Sequence, residues 1–376
     1  MSSHGLSALF SRLRHRLIQA PMAGVQDSRL AVAVSRAGGL GSLPAALLDT
    51  AGLERELRVL QESLGRQGLP YNVNFFCHPS PAPCTETETA WRSTLAPYYR
   101  EWGLDPAQTS AGGGRQPFNA ALADVLAKAP PPVVSFHFGL PSPDLLARVK
   151  SWGALVLSSA TTVEEGLWLQ AHGADGVIAQ GLEAGGHRGH FLKPDYDVSD
   201  HLPLMPLIKG LKEAVSLPIV AAGGLGDADA VRAALGAGAE AVQVGTAFLL
   251  CDEALTPPLH RRALERAAAA GAPGEQGPGS RPGLTALTRL FTGRPARGLV
   301  NRLMRELDPM SPQAPAFPLA AGALAPLRSR AEAAGRDDFT PLWSGESPQG
   351  CRAASAAAVL EGLMVPAFTK PGSEAK

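Results

Sequence analysis

The sequence has little that would tie it to a polymer, a membrane or a disulfide scaffold. Lys plus Arg and Asp plus Glu each number 34, so the net charge is zero. No basic excess exists to hold nucleic acid or an anionic lipid surface. No run of about 18 apolar residues occurs, so no membrane span is expected. Cysteine is sparse: Cys77, Cys84, Cys251 and Cys351 are scattered, without a CxxC pair. That spacing argues against a zinc site, and no metal ligand set is expected. Thiols left unpaired suit a reducing compartment. The first residues, through Gly24, include basic side chains but no apolar core of signal-peptide length. A cytoplasmic protein is the expectation, with organellar targeting as the alternative suggested by the Arg, Ser and Leu of Met1–Arg16.

What the chain has instead is length and rhythm. Its 376 residues exceed one minimal core, so a large α/β domain with an accessory region is expected. Short apolar runs alternate with helical patterns. They lie at Arg16–Val25, where the strand runs into a Pro-Met-Ala-Gly turn, and at Gly39–Ala46, Tyr71–Phe76, Val133–Gly139, Ala154–Ala160, Gly176–Gly181, Leu217–Gly224 and Ala241–Leu250. Between them fall helical stretches such as Ala51–Gly65, with Leu53, Leu57, Leu60 and Leu64 on one face. Ser28 is a plausible N-cap for the first of these. Repeated βα units imply parallel strands. Eight of them closing on themselves give a (β/α)8 TIM barrel; a doubly wound open sheet is the alternative.

The rhythm breaks at Cys77–Pro132, a Pro-, Thr- and Ala-rich excursion with helical pieces at Glu86–Trp102 and Phe118–Ala129. Its Gly-rich tract, Ala111–Arg115, reads as a mobile loop. Beyond Asp252 no further strand is convincing. Leu259–Ala270, Leu324–Ala334 and Arg352–Leu363 read as helices, and Gly271–Gly283 as a linker. The expected division is a barrel at 15–76 and 133–252, and a helical cap over its mouth from 77–132 and 253–376.

Barrel ligands bind at the carboxyl ends of the strands. There the chain places Pro21-Met22-Ala23-Gly24, Asn72 and Asn74, His137, Gln180, Gly185-Gly186-His187, Gly223-Gly224 and Gly245-Thr246. Glycine after the seventh and eighth strands lets backbone amides approach a phosphate, and Thr246 adds a hydroxyl. GGLG alone could be only a tight turn, and it recurs at Gly38–Gly41; two such loops together point to phosphate. A dinucleotide fingerprint after the first strand is missing, since APMAGV is not GxGxxG. Gln180 and Asn74 both donate and accept, as the mixed edge of a flavin requires, or they serve as turn amides. His187, on a loop with two preceding glycines, can act as acid, base or donor to an anion. His137, inside FHF, is either a core histidine or a second site residue. Glu183 can orient the loop, and Arg188 either meets an anion or is solvated at the surface.

In order and spacing, QAPMAGV, YNVNFF, VVSFHFGLP, QGLEAGGHRGHF, PIVAAGGLGD and VQVGTAF resemble the nitronate monooxygenases, FMN enzymes formerly called 2-nitropropane dioxygenases. The likeness runs from Leu17 to Leu250 and continues through TGRPARGLVNRL and Leu342–Gly345. Flavin enoyl reductases and quinone reductases carry similar EAGGH segments; SFHFGLP and GRPAR favour the nitronate enzymes. The resemblance implies FMN contacts from Met22, Ala23, Asn74, Gln180, Gly185, Gly224, Gln243, Val244, Gly245 and Thr246. It implies His187 as the catalytic histidine and His137 as its companion. One departure is Phe317-Pro318, where Tyr-Pro is expected, in a chain with only four Tyr and none after Tyr196. The implied reaction is oxidation of alkyl nitronates by O2 to a carbonyl compound and nitrite, in a monomer or homodimer. The alternatives are an NAD(P)H-dependent FMN reductase of enoyl thioesters or quinones, and a non-catalytic flavin- or phosphate-binding barrel.

Overall fold

The computed structural model describes residues 3–105, 116–194, 196–270 and 284–365. The Gly-rich tract Ala111–Arg115 and the linker Gly271–Gly283 lie outside the described residues. In chain order the strands are β1 (Leu17–Gln19), β2 (Gly41–Pro44), β3 (Tyr71–Phe76), β4 (Val133–His137), β5 (Leu155–Ala160), β6 (Gly176–Gln180), β7 (Gly186–His187), β8 (Ile219–Ala222), β9 (Ala241–Val244), β10 (Thr285–Thr288) and β11 (Ala296–Leu299). Eight of these form one parallel sheet in the order β1-β9-β8-β6-β5-β4-β3-β2. A parallel bridge between Ile18 and Leu40 brings its two edges together. Gln19 N donates to Leu40 O at 3.0 Å, and Leu40 N to Leu17 O at 2.9 Å. The sheet is therefore a nearly closed (β/α)8 barrel, as the eight apolar runs predict.

The two ends of the barrel differ for a readable reason. Helix Ser3–Arg12 plugs the amino-terminal end, burying Leu6 and Phe10 against Ile18, Val133, Leu157 and Val220. Above that layer the interior is polar. Asn72 Nδ2 donates to Ser42 Oγ and Ser135 Oγ, while Gln26 Nε2 donates to Ser42 O at 2.7 Å. A ligand at the carboxyl end thus rests on hydrogen-bonded side chains whose positions are fixed by their neighbours.

Helix starts follow short polar caps. Asp49 accepts from Gly52 N, Thr162 from Glu165 N and Asp227 from Ala230 N. Helix Ser28–Arg36 is capped by Asp27 rather than Ser28. The Ser28 amide instead donates to Glu56 of the next helix at 2.9 Å, which moves the cap one residue earlier.

The excursion and the tail pack on each other. Trp91, Leu95, Tyr98 and Tyr99 of helix Thr85–Glu101 bury against Leu290, Phe291, Leu303, Leu324, Leu327 and Phe339. Trp91 Nε1 donates to Ala320 O at 3.1 Å, and Tyr99 donates to Ala323 O. Trp91 is 1% exposed. Trp91→Ala is expected to cost about 3–5 kcal/mol, lowering the urea midpoint without changing the barrel's far-UV circular dichroism.

One expectation fails in the tail. Two strands do lie beyond Asp252: β10 and β11 are antiparallel, and β11 also pairs with β7. Both are four residues long, and β11 (Ala-Arg-Gly-Leu) carries an arginine and a glycine. Nothing local marks them as strands; the pairing partner about 110 residues earlier in the chain does.

Candidate active site

Strand β7 is what fixes His187. Ala296 of β11 stands opposite His187 and Arg297 opposite Gly186. The Arg188 amide continues the pairing, donating to Pro295 O at 2.8 Å. The loop that looked adaptable in sequence is therefore held by the tail. Gly186, at φ +73°, makes the turn into it. The imidazole Nε2 lies 2.9 Å from Thr292 Oγ1, which itself reaches Arg294 O at 3.4 Å. A hydroxyl that donates to a carbonyl leaves its oxygen to accept, so Nε2 carries the proton toward Thr292.

Rings surround His187. Phe76, Phe138, Phe317 and Trp343 stand with ring centroids 6.2, 6.2, 5.2 and 5.5 Å from it. Phe138 has φ +70°, a conformation rare for a bulky side chain. Such strain costs on the order of 1–3 kcal/mol and collects at functional sites. The Arg294 guanidinium lies 4.1 Å over the Phe138 ring and holds it from outside.

His137 also lines the cavity, but both its nitrogens are engaged. Nδ1 is 2.9 Å from Ser159 Oγ, and Nε2 is 3.2 Å from His187 O. A carbonyl only accepts, so Nε2 donates and Nδ1 accepts from the serine. Burial, with Arg294 and Arg188 adding repulsion, pushes the His137 pKa down to about 3. A neutral ring that grips the His187 backbone positions it; the sequence suggested a more direct part.

Gln180 is similarly committed. Its Nε2 donates to His187 O at 2.9 Å and its Oε1 accepts from Gly189 N at 2.8 Å. One N–H remains for a ligand. Both hydrogens of Asn74 Nδ2 go to Ser135, so Oδ1 is what it can offer. Arg188 is neither surface-solvated nor a ligand contact. It is fully buried and donates to Gly181 O, Gln180 O and His201 Nδ1. Glu183 accepts from Leu204 N, tying the loop to the next helix.

Met22, Ala23, Asn74, His137, Gln180, Gly185, His187, Gly224, Gln243, Val244, Gly245 and Thr246 all line one cavity of about 310 Å³. A strap from the tail, residues 343–347, covers its β8 and β9 side. Gly345 N donates to Thr246 Oγ1 at 2.9 Å, and Ser347 Oγ to Gly224 O at 3.1 Å. The fit is close: a Cβ on Gly185 would stand 2.5 Å from Gly345 N. Arg297 ties the strap down, donating to Leu182 O and pairing with Glu346 at 3.0 Å. Among the described residues no cluster of three or more His, Cys, Asp or Glu is placed to hold a metal ion. No described helix is long and apolar enough to cross a membrane.

This arrangement has relatives. The family description "Nitronate monooxygenase" matches residues 6–365. The chain belongs to the nitronate monooxygenase family. It is 38% identical over 364 residues to the nitronate monooxygenase of Pseudomonas aeruginosa, covering 94% of this chain and 97% of that one. The Paraburkholderia phytofirmans enzyme of the same name is 37% identical, covering 92% and 90%. A solved nitroalkane oxidase from Streptomyces ansochromogenes superposes with a TM-score of 0.81 at 39% identity, covering 95% and 96%. FabK from Thermotoga maritima, at 23% identity and TM-score 0.67, shares the fold. As a nitronate monooxygenase relative, the protein is an oxidoreductase, and its barrel is the family's.

Several residues around His187 and the cavity were not singled out from sequence: Thr292, Arg294, Trp343, Ser344 and Ser347. All come from the tail, where neither periodicity nor a local motif marks them. TGRPAR and Leu342–Gly345 carried only a family likeness. Thr292→Val keeps the shape and removes the hydroxyl. Turnover is expected to fall about 3- to 10-fold with little change in KM, read by steady-state kinetics.

Proposed function

We propose that the protein binds FMN in this cavity and oxidises alkyl nitronates of the propionate 3-nitronate type with O2, releasing a carbonyl compound and nitrite. The residues present fit the cofactor. Gln243 Oε1 is buried on the cavity wall without a hydrogen-bond partner among the described residues. An orphaned acceptor costs about 1–3 kcal/mol, and an N–H on a flavin edge relieves it. Gly223 and Gly224, at φ +122° and +69°, with Gly245, leave room for a phosphate to approach the backbone, and Thr246 would add its hydroxyl. Met22, Ala23, Asn74 and Gln180 would flank the ring system. FMN, when bound, supplies the electron-transfer chemistry with O2 as acceptor.

The chain's own residues then do the following. His187 faces the substrate inside a wall of four aromatic rings, which excludes water and strengthens any charge-assisted contact. With Nε2–H directed to Thr292, Nδ1 holds the lone pair of the neutral ring. From there it accepts the α-proton of a neutral nitroalkane; as the imidazolium it donates to a nitronate oxygen. His137 and Gln180 keep that geometry by hydrogen-bonding the same carbonyl, His187 O. The observation carrying this reading is His187, held by β11 and Thr292 on the wall of the same cavity that Gly223, Gly224, Gly245 and Thr246 line.

Steady-state assays test it. Nitronate-dependent O2 uptake without NADH supports the proposal. Turnover seen only with NADH plus an enoyl thioester or quinone would replace it with a reductase. Bound flavin with neither activity would leave a binding barrel.

A further inference from the structure

The strap at residues 343–347 touches three barrel loops at once. Glu346 N donates to Glu183 O, in the loop after β6, at 3.0 Å. Ser347 Oγ donates to Gly224 O after β8, and Gly345 N to Thr246 Oγ1 after β9. The packing is close: a Cβ on Gly345 would stand 2.8 Å from Glu183 O, and one on Gly226 would stand 2.7 Å from Ser347 Cβ. Trp343, Ser344, Gly345 and Ser347 all line the cavity, so the strap is part of its wall.

The strap is anchored at both ends and lightly held between them. At one end Trp343 bridges to Gly298 of β11, and Ser344 N donates to Arg297 O at 3.3 Å. Beyond the other end Cys351 Sγ donates to Thr246 O at 3.0 Å, ahead of helix Ala356–Met364. In the middle the holds are the three bonds to the loops and the Arg297–Glu346 pair, in which the Glu346 side chain is 46% exposed. A pair so open to solvent adds little.

The polar hydrogens of the strap are already committed. The amides of Ser344, Gly345 and Glu346 go to Arg297 O, Thr246 Oγ1 and Glu183 O. The Ser344 hydroxyl donates to Gly345 O, and the Ser347 hydroxyl to Gly224 O. Each acceptor is a protein oxygen, so closure needs no ligand, and these groups keep no hydrogen for a phosphate. Accepting from Gly345 leaves Thr246 its own O–H to donate.

We propose that the strap is a latch over the phosphate end of the cavity, which governs how fast FMN enters and leaves without adding to its affinity. The proposal rests on the reading that this cavity holds FMN. A segment that closes equally well over the filled and the empty cavity shifts no binding equilibrium. It slows entry and exit by the same factor, because each waits for the open form. Weakening the latch therefore raises both rates together.

The test compares FMN-loaded wild-type protein with the double variant Glu346→Ala, Ser347→Ala. The release rate is read by mass spectrometry, as bound FMN exchanges for an excess of isotopically labelled FMN. Ultrafiltration gives Kd. The variant is expected to release FMN about 5- to 20-fold faster, with Kd changed by less than about twofold. Amide hydrogen exchange at residues 344–346 is expected to quicken while the barrel strands keep wild-type rates, which separates local opening from a damaged fold. Release at the wild-type rate would overturn the latch. So would a Kd that rises in step with release, which would make these residues part of the phosphate site. If the wild-type protein holds no FMN, the proposed function fails and the latch with it; if it holds FMN and release is unchanged, the latch alone fails.

Discussion

His187→Asn is expected to lower nitronate turnover by about 10²- to 10⁴-fold while the flavin stays bound. The substitution keeps a polar side chain of similar reach but removes the group that exchanges a proton. Its effect is confined to chemistry because backbone pairing, not the imidazole, holds the segment: Ala296 opposite residue 187, Arg188 N on Pro295 O, and Gln180 Nε2 on His187 O. The flavin absorbance of the purified variant reports occupancy, and single-turnover kinetics report the loss. A variant with wild-type turnover would remove His187 from the reaction. A variant that emptied of flavin would make the residue part of the cofactor site instead.

Acid is expected to unfold the protein well before it titrates most carboxylates. Burial holds His190, His201 and His260 at pKa values of about 3, 4 and 4, against an ordinary 6.5. All three are buried, at 1%, 6% and 3% exposure. His201 Nδ1 accepts from the Arg188 guanidinium at 3.2 Å, so a protonated ring would face a cation. His190 sits 4.9 Å from the His201 ring, with Arg294 and Arg188 adding repulsion. The unfolded chain binds these protons below pH 6.5, whereas the folded one refuses them until pH 4 to 3. Stability is therefore full above pH 6.5 and falls as pH drops through the window from 6.5 to about 4. At pH 5 each group costs about 2 kcal/mol, so the three together approach the whole stability of an ordinary domain. Urea midpoints measured from pH 7.5 to 5 check this, and His190→Gln should flatten the slope by about a quarter, because His137, held at about 3, contributes alongside these three. A midpoint that does not move across that range would contradict the account.

The barrel was legible because each of its strands is a local signal. Runs such as VVSFH and GVIAQ are bounded by turn residues, and the helix between each pair carries its own apolar stripe. The cavity floor was legible for the same reason: strand-end residues follow from strand positions. What stayed hidden lies in the tail. Thr292, Arg294 and Trp343 are ordinary residues in irregular segments; the pairing of β11 with β7, and Trp343's bridge to Gly298 of β11, bring them to His187. β11 contains Arg297, whose partners Glu346 and Leu182 O lie far from it in sequence. Arg188 misled in the opposite way. Its charge suggested a ligand or the surface, yet it spends its donors on the carbonyls of its own loop. Long-range pairing and buried cations satisfied by backbone leave no periodic trace in a single sequence.

The central claim is that a nitronate bound against His187 gives up electrons inside this cavity without help from a nicotinamide. An anaerobic titration of the FMN-loaded protein with propionate 3-nitronate, followed in the flavin absorbance bands, measures this directly. The account predicts bleaching by nitronate alone, with colour restored on admitting O2 and nitrite appearing in step. A flavin that ignores the nitronate and bleaches only with NADH would contradict it.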